Sequence, residues 1–245
     1  MVNCKDAATP MNINEKFCRD DGSEMENATY FRSLVGGLNY MSHTRQDISF
    51  SVGVISRFMH NPSKLHLGAA KRVLRYIVGT TEHGIWYSKV TNFTLTGFTD
   101  SDYAGNIFDE GKSTSGFLFN LGSGAISWSS KKQEVVALST SEAEYIATTS
   151  VACQAVLLRR LVSYFNQKPV GATKIFCDNI SAIAMTKKPA FHSRTKHIDI
   201  RYHYIRGLVS TGEITLKSCD TNEQLADIFT KSLPQAKHEF FRGQL

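Results

Sequence analysis

Four acidic residues stand where predicted strands and helices begin or end. Asp100 closes a β-prone run (GFTD), and Asp178 closes another (IFCD). Glu144 lies in the first turns of a long predicted helix (STSEAEY), and Asp227 lies in the last predicted helix (QLADIF). If the two runs are parallel and adjacent strands, their carboxyl ends bring Asp100 and Asp178 side by side, at the edge of a sheet where ligands bind.

Carboxylates that converge at one strand edge repel one another unless cations neutralise them. Ligation by oxygen atoms alone suits Mg²⁺ or Mn²⁺. Two such ions about 4 Å apart can activate a water and stabilise the leaving oxygen in phosphodiester hydrolysis. The four acids are therefore candidate ligands of two divalent cations in a site for phosphodiester chemistry.

Each of these acids also has a structural interpretation. Serines stand three residues before both Glu142 and Glu144, which is the spacing of a helix capping box. Asp178 is a candidate N-cap, and Asp227 is a candidate solvated helix position. Taken one residue at a time, the pattern leaves the metal-ligand and the structural interpretations open.

The elements that would position the acids follow in the order β-β-β-α-β-α-α-β-α. The predicted strands are Phe93–Thr99, Ser115–Leu121, Gly124–Ser129, Lys174–Asp178 and Glu213–Ser218. The predicted helices are Ser139–Asn166, Ile180–Thr186, a segment near Ile198–Val209, and Asn222–Lys231. A strand reached through a long helix normally lies parallel to a strand already in the sheet. The expected fold class is therefore α/β, with a mixed five-stranded sheet flanked by helices.

Two further expectations concern helices. The apolar face of the long helix is expected to consist of Ile146, Ala152 or Cys153, Val156 or Leu157, Leu161 and Phe165. Between Thr29 and Tyr87, apolar residues recur at helical spacing in three runs, which predicts three short helices. Asp47 and Ser63 are candidate N-caps, Gly79 ends the third helix, and Ile85–Tyr87 is a candidate strand.

Composition excludes several classes of protein. The chain has 245 residues, of which 42% are hydrophobic and 20% charged, as in folded globular proteins. No apolar run approaches the ~20 residues of a membrane span, and residues 1–30 contain no apolar signal region. We therefore expect an intracellular protein, cytoplasmic or nuclear, with no membrane partner. The five scattered cysteines, with no Cys-x-x-Cys pair, support neither a disulfide framework nor a zinc site.

Positive charge is densest between residues 187 and 206, in a chain whose net charge is +6. The candidate nucleic-acid ligands there are Lys187, Lys188, Arg194, Lys196, His197 and Arg201. Interleaved aromatic residues allow base or ribose packing beside phosphate contacts. The alternative is a solvated helix face. A smaller cluster on the third N-terminal helix (Lys71, Arg72 and Arg75) is open to the same two interpretations.

A series of segments resembles, in the same order, the carboxyl-terminal part of the Pol polyprotein of copia-type LTR retrotransposons. They are YFRSLVGGLNYMSHTRQDISFSVGVISRFM, HLGAAKRVLRYIVGT, FTDSDYAG, KSTSGFLF, ISWSSKKQEVVALSTSEAEYIA, IFCDNISAI, TKHIDIRYHYIR and EQLADIFTK. The resemblance covers nearly the whole chain. It implies an RNase H-like domain over residues 93–245, preceded by a helical remnant of the reverse transcriptase thumb or connection over residues 27–92. Residues 1–26 are polar and lack apolar periodicity, which predicts an irregular tether.

The resemblance also implies a site and an activity. Its metal ligands and catalytic residues would be Asp100, Glu144, Asp178 and Asp227, holding Mg²⁺ or Mn²⁺, two ions in all. The implied substrate is an RNA–DNA hybrid, whose RNA strand is cut. The implied partner is the rest of the Pol polyprotein, including its polymerase palm, and the implied location is a cytoplasmic particle or the nucleus.

Two absences limit these expectations. Many RNases H carry a histidine between the last strand and the last catalytic aspartate, and here none lies between His203 and His238. The paired aspartates Asp20 and Asp21 lie in a polar turn and not between apolar strands, so polymerase activity is not expected. Asp102 and Glu142 are interpreted as a turn residue and a capping residue. The alternative to an RNase H is a transposon-derived remnant that folds and binds nucleic acid without cleaving it.

Overall fold

The computed structural model describes residues 4–90, 94–103, 105, 111–167, 171–187 and 204–245. Its strands are β1 (Leu95–Asp102), β2 (Thr114–Leu121), β3 (Gly124–Lys132), β4 (Thr173–Cys177) and β5 (Ile214–Ser218). They form one sheet in the order β3-β2-β1-β4-β5. β1, β2 and β3 are antiparallel neighbours, whereas β4 is parallel to both β1 and β5. The predicted mixed five-stranded sheet is confirmed.

Helices precede the sheet and cover it. They are α1 (Ala28–Met41), α2 (Ser49–Ser56), α3 (Lys64–Val78), α4 (Thr140–Tyr164), α5 (Ile180–Met185), α6 (204–210) and α7 (Gln235–Gln244). Two short 3-10 helices lie at Gln46–Ile48 and Leu225–Phe229. None of these helices, over the residues that the structure describes, is long and apolar enough to cross a bilayer.

The predictions of helix ends and of a strand in the N-terminal region are partly correct. Ser63 caps α3 by accepting from the backbone N–H of His66, and Gly79 ends α3, as predicted. The prediction of Asp47 as an N-cap is wrong, because α2 begins after Ile48 and the Asp47 side chain turns into the core. The candidate strand at Ile85–Tyr87 is also wrong. Tyr87 Oη donates to the Ala125 carbonyl, and the backbone N–H of Ser88 donates to Ser123 Oγ, so this segment contacts the β2–β3 hairpin without a strand ladder.

The first described segment is irregular but packed. Ala7, Met11 and Phe17 are buried in the same apolar cluster as the inner faces of α1, α2 and α3. Asp21 accepts hydrogen bonds from Ser23 and Ser63, and these bonds lower its pKa to about 2. Because Asp21 supports the start of α3, the Asp20–Asp21 pair is structural.

The predicted apolar face of α4 is wrong in its second half. Ile146 and Val156 are buried, but Leu157, Leu161 and Phe165 are exposed to 50%, 47% and 72%. α4 has 25 residues and is about 37 Å long, whereas β4 has 5 residues and is about 17 Å long. The helix therefore extends past the sheet, and its last turns have no sheet to cover.

The predicted closing helix, Asn222–Lys231, is shorter in the structure. Within it lies the 3-10 helix Leu225–Phe229, where the Gln224 side chain accepts from the N–H of Ala226. A further helix, α7, lies beyond the predicted one and begins after Pro234. Proline lacks the N–H that would continue a helix from the preceding turn, so the chain restarts its helical path there.

A buried polar cluster, the junction network, joins α7 to the N-terminal helices. The Arg45 guanidinium donates to both carboxylate oxygens of Asp47, at 2.9 and 2.8 Å, and Tyr76 Oη donates to the same carboxylate at 2.5 Å. From α7, Arg242 donates to Tyr76 Oη at 3.1 Å, and His238 Nε2 donates to the Asp47 carbonyl at 3.3 Å. The C-terminal helix is thus held on residues that lie far away in the sequence.

Candidate active site

Three aspartates meet at the carboxyl ends of two parallel strands. Asp100 lies in β1, and Asp178 directly follows β4, whose Phe176 is in register with Phe98 of β1. Asp227 reaches the same place from the 3-10 helix above β1 and β2. One oxygen from each of these three carboxylates lies within 4.8 Å of the other two. The parallel pairing therefore brings Asp100 and Asp178 together as the strand pattern predicts.

Close packing places Asp227 over the sheet. Gly116 of β2 is paired with Asp100, and a Cβ atom at this glycine would lie 2.7 Å from Phe229 Cβ and from Thr230 Cγ2. Real Cβ atoms do not approach other atoms so closely, so only glycine lets the 3-10 helix sit directly on β2. This close approach brings Asp227 down to the level of Asp100.

Glu144 completes the cluster from the start of α4. One of its oxygens, Cys177 Sγ and an oxygen of Asp178 lie within 4.8 Å of one another. The backbone N–H of Ser101 donates to Glu144 Oε1 at 2.9 Å, and the Cys177 thiol donates weakly to Oε2 at 3.8 Å. Burial raises the pKa of Cys177 well above its usual range, so it acts as a neutral donor and not as a thiolate ligand.

The structural interpretations of three acids are wrong. Ser139 and Glu142 cap α4, since Ser139 Oγ accepts from Glu142 N and Glu142 accepts from Leu138 N, and Glu144 points inward. α5 is capped by Asn179 and not by Asp178. Asp227 is fully buried and therefore not a solvated helix residue. Glu142 is the capping residue that was predicted, whereas Asp102 is the last residue of β1 and precedes the turn.

Two lysines that were not among the predicted site residues bind the cluster. Lys231 Nζ lies 2.8 Å from Asp227 Oδ1 and 3.5 Å from Asp100 Oδ2, and Lys237 Nζ lies 2.8 Å from Asp227 Oδ2. Thr230 Oγ1 donates to Asp100 Oδ2. The four-residue spacing of Asp227 and Lys231 was the available signal, because such pairs are neighbours on a helical surface.

Burial and like charge raise the pKa of two of the acids. Burial, together with the charges of Asp227 and Asp178, raises the pKa of Asp100 to about 6, although Lys231 opposes the rise. Burial followed by the charges of Asp100 and Asp178 raises the pKa of Glu144 to about 9. The donor set consists of carboxylate oxygens whose negative charges are only partly balanced. These residues therefore fit a hard divalent cation.

The predicted basic segment is only partly described. Lys187 is exposed in the turn after α5. Lys188, Arg194, Lys196, His197 and Arg201 lie outside the described residues. In the smaller cluster on α3, Arg72 donates to Thr9 Oγ1 and so packs on the N-terminal segment, while Lys71 is exposed.

Comparisons with known proteins give relatives along the whole chain. No protein-family model matches. The Retrovirus-related Pol polyprotein from transposon RE1 of Arabidopsis thaliana is 41% identical over 249 residues, which cover 100% of this chain and 17% of that protein. A similar Pol polyprotein, from transposon TNT 1-94 of Nicotiana tabacum, is 42% identical over 98% of this chain and 18% of its own length. The chain thus spans less than a fifth of these relatives.

Among solved structures, a foamy viral protease-reverse transcriptase in complex with double-stranded DNA matches with a TM-score of 0.51. The match covers 79% of this chain and 32% of the viral chain. Because the sequence identity is 11%, the match indicates the fold alone. The described sheet agrees with the mixed five-stranded sheet, flanked by helices, that the sequence predicts. Because it is 41% and 42% identical to these two polyproteins along all or nearly all of its own length, the chain belongs to the Pol polyprotein family of copia-type LTR retrotransposons.

Proposed function

We propose that the chain is a metal-dependent endoribonuclease that cuts the RNA strand of an RNA–DNA hybrid, as the RNase H part of a retrotransposon reverse transcriptase. The observation that carries the proposal is the approach of Asp100, Asp178 and Asp227 to within 4.8 Å, with Glu144 equally close to Asp178. The proposed organisation is an RNase H domain from residue 93, behind a helical reverse-transcriptase remnant over residues 27–92.

In this proposal the four carboxylates hold Mg²⁺ or Mn²⁺, two ions in all. When bound, such ions activate a water and stabilise the leaving oxygen of a phosphodiester. The chain itself fixes the donor oxygens: the Ser101 N–H holds one oxygen of Glu144, and the Thr230 hydroxyl holds one oxygen of Asp100. Neither donor belongs to a long flexible side chain, and both acids are buried, so both carboxylates are oriented before a ligand arrives.

Substrate recognition is proposed to rest on the backbone and shape of the hybrid. The 2′-hydroxyl groups of the RNA strand distinguish a hybrid from DNA across the minor groove. The basic segment between residues 187 and 206 would bind phosphates. The rest of the Pol polyprotein, with its polymerase palm, is the proposed partner.

The test is an assay of the purified chain on three end-labelled duplexes: an RNA–DNA hybrid, an RNA duplex and a DNA duplex. Mg²⁺ should support cleavage of the RNA strand of the hybrid only, and EDTA should stop it. Cleavage of all three duplexes, or metal-independent cleavage, would contradict the proposal. Hybrid binding without cleavage would favour the alternative, a non-catalytic remnant. One observation favours that alternative: Lys231 and Lys237 already neutralise part of the negative charge of the cluster through Asp227.

Variants of two neighbouring glutamates test the roles assigned to them, Glu144 as a metal ligand and Glu142 as a capping residue of α4. Glu144→Gln keeps the acceptor for the Ser101 N–H but removes a charge from the site, so cleavage should fall to background. Glu142→Gln keeps the capping geometry and loses only the interaction of a charge with the N-terminus of α4. It should cost about 0.3–1 kcal/mol of stability and leave the cleavage rate unchanged. Cleavage rates and melting temperatures of both variants check this, and equal loss of cleavage in the two would refute the assignment of Glu144.

Salt dependence tests the basic segment. Replacing Arg194 and Lys196 by glutamine should weaken hybrid binding and flatten the dependence of log Kd on log salt, by about 0.9 for each phosphate of a B-form duplex that the protein no longer neutralises. Lys64→Gln is the control, because Lys64 pairs with Glu24 on the surface. Fluorescence anisotropy at several salt concentrations measures both slopes. An unchanged slope in the double variant would mean that the segment is a solvated face.

A further inference from the structure

We propose that Lys231 is an internal cation of the carboxylate cluster, which stabilises the metal-free protein and is displaced from the aspartates when a divalent cation binds. Lys231 is thus a positioning residue: it holds Asp100 and Asp227 in place before a metal arrives. The second half of the proposal rests on the proposed function, since it requires the cluster to bind a metal.

The geometry places the ammonium between two acids from different elements. Lys231 Nζ lies 2.8 Å from Asp227, in the 3-10 helix, and 3.5 Å from Asp100, in β1. The side chains of these aspartates are 0% and 4% exposed, whereas that of Lys231 is 36% exposed. The lysine therefore enters the cluster from its solvent side and links the 3-10 helix to the sheet.

Electrostatics explains why a cation is needed there. Buried carboxylates without counter-charges are costly, because burial removes the water that solvates them. A lysine side chain is protonated at neutral pH, and this ammonium lies 2.8 Å from Asp227 and 3.5 Å from Asp100. The ammonium therefore stays charged and offsets the repulsion between the two aspartates. Without the Lys231 charge, the repulsion between Asp227 and Asp100 would be stronger.

The same position makes Lys231 a competitor of a metal ion. A divalent cation bound by Asp100 and Asp227 would use the oxygens that the ammonium approaches, and two cations at such short range repel each other. The lysine stem is long and flexible, and its partial exposure gives the ammonium a route to solvent. Lys237 differs, because it comes from α7 and, among the described acids, its ammonium pairs with Asp227 and not with Asp100; it also donates to the Thr221 carbonyl.

The first test measures melting in EDTA. Lys231→Met should lower the melting temperature by several degrees, and Lys237→Met should lower it less. Lys231→Arg, which keeps the charge, should stay close to the parent. In an Asp100→Asn background the effect of Lys231→Met should be smaller, because one of the two acids that Lys231 contacts no longer carries charge. An equal effect in both backgrounds would mean that Lys231 contributes packing alone, and would overturn the proposal.

The second test measures Mg²⁺ affinity of the same proteins by calorimetry. Lys231→Met should bind Mg²⁺ about tenfold more tightly than the parent, and Lys231→Arg and Lys237→Met should change the affinity less. Unchanged or weaker binding in Lys231→Met would overturn the competition. If neither parent nor variants bound Mg²⁺, the proposed function and the competition would both fail, while the EDTA melts would still decide whether Lys231 is a counter-cation.

Discussion

Asp178→Asn should abolish hybrid cleavage and leave the fold intact. Asp178 is the acid shared by both halves of the cluster, since it lies within 4.8 Å of Asp100 and Asp227 and equally close to Glu144. Asparagine preserves its shape but removes a negative ligand, so a divalent cation would be lost or misplaced. In EDTA the variant should melt at or slightly above the parent temperature, because removing one of several like charges relieves repulsion.

The matched control for this change is Asp220→Asn. Asp220 is exposed in the turn after β5, where it accepts from the backbone N–H of Asn222, and lies outside the cluster. Asp220→Asn removes the same charge as Asp178→Asn but does not alter the site, so cleavage should persist. The assignment of Asp178 fails if Asp178→Asn cleaves the hybrid at the parent rate. A loss of cleavage that accompanies a large drop in melting temperature would instead point to a structural role.

Asp47→Ala should destabilise the protein by about 3–5 kcal/mol, the typical cost of removing one partner of a buried ion pair. The side chains of Arg45 and Asp47 are only 9% and 4% exposed, so the variant leaves a guanidinium buried without its counter-charge. Tyr76 also loses the acceptor for its hydroxyl. Urea unfolding measures the loss of stability.

A surface pair provides the control for the junction network. Glu24 pairs with Lys64, but these side chains are 72% and 58% exposed, so Glu24→Ala should cost no more than about 1 kcal/mol. Because His238 and Arg242 join the network from α7, Asp47→Ala should also speed hydrogen exchange in Gln235–Gln244. If Asp47→Ala were no more destabilising than Glu24→Ala, the network would contribute little to the fold.

The convergence of Asp100 and Asp178 was predictable because it depends on local pattern and strand direction. Each residue ends a short β-prone run, and the long helix between the runs requires a parallel pairing. The start of α3 at Ser63 and its end at Gly79 follow from equally local signals. Such features need no knowledge of which distant side chains meet.

Other features depend on distant interactions that a single sequence does not reveal. Lys231 reaches Asp100 only because Gly116 lets the 3-10 helix approach β2. Asp47 looks like an N-cap until Arg45 and Tyr76 draw its side chain into the core. The outward face of α4 carries apolar residues at helical spacing just as a buried face does, so periodicity cannot tell that the helix extends beyond the sheet.

The metal site itself is tested most directly by anomalous diffraction from crystals of the protein grown with Mn²⁺. We expect an anomalous peak about 2 Å from carboxylate oxygens of Asp100, Asp178 and Asp227, with the Lys231 ammonium moved away from Asp100. The peak should be absent or strongly reduced in Asp178→Asn. A parent crystal with no peak at the cluster, or with Mn²⁺ bound only elsewhere, would contradict the proposal that these carboxylates hold a metal.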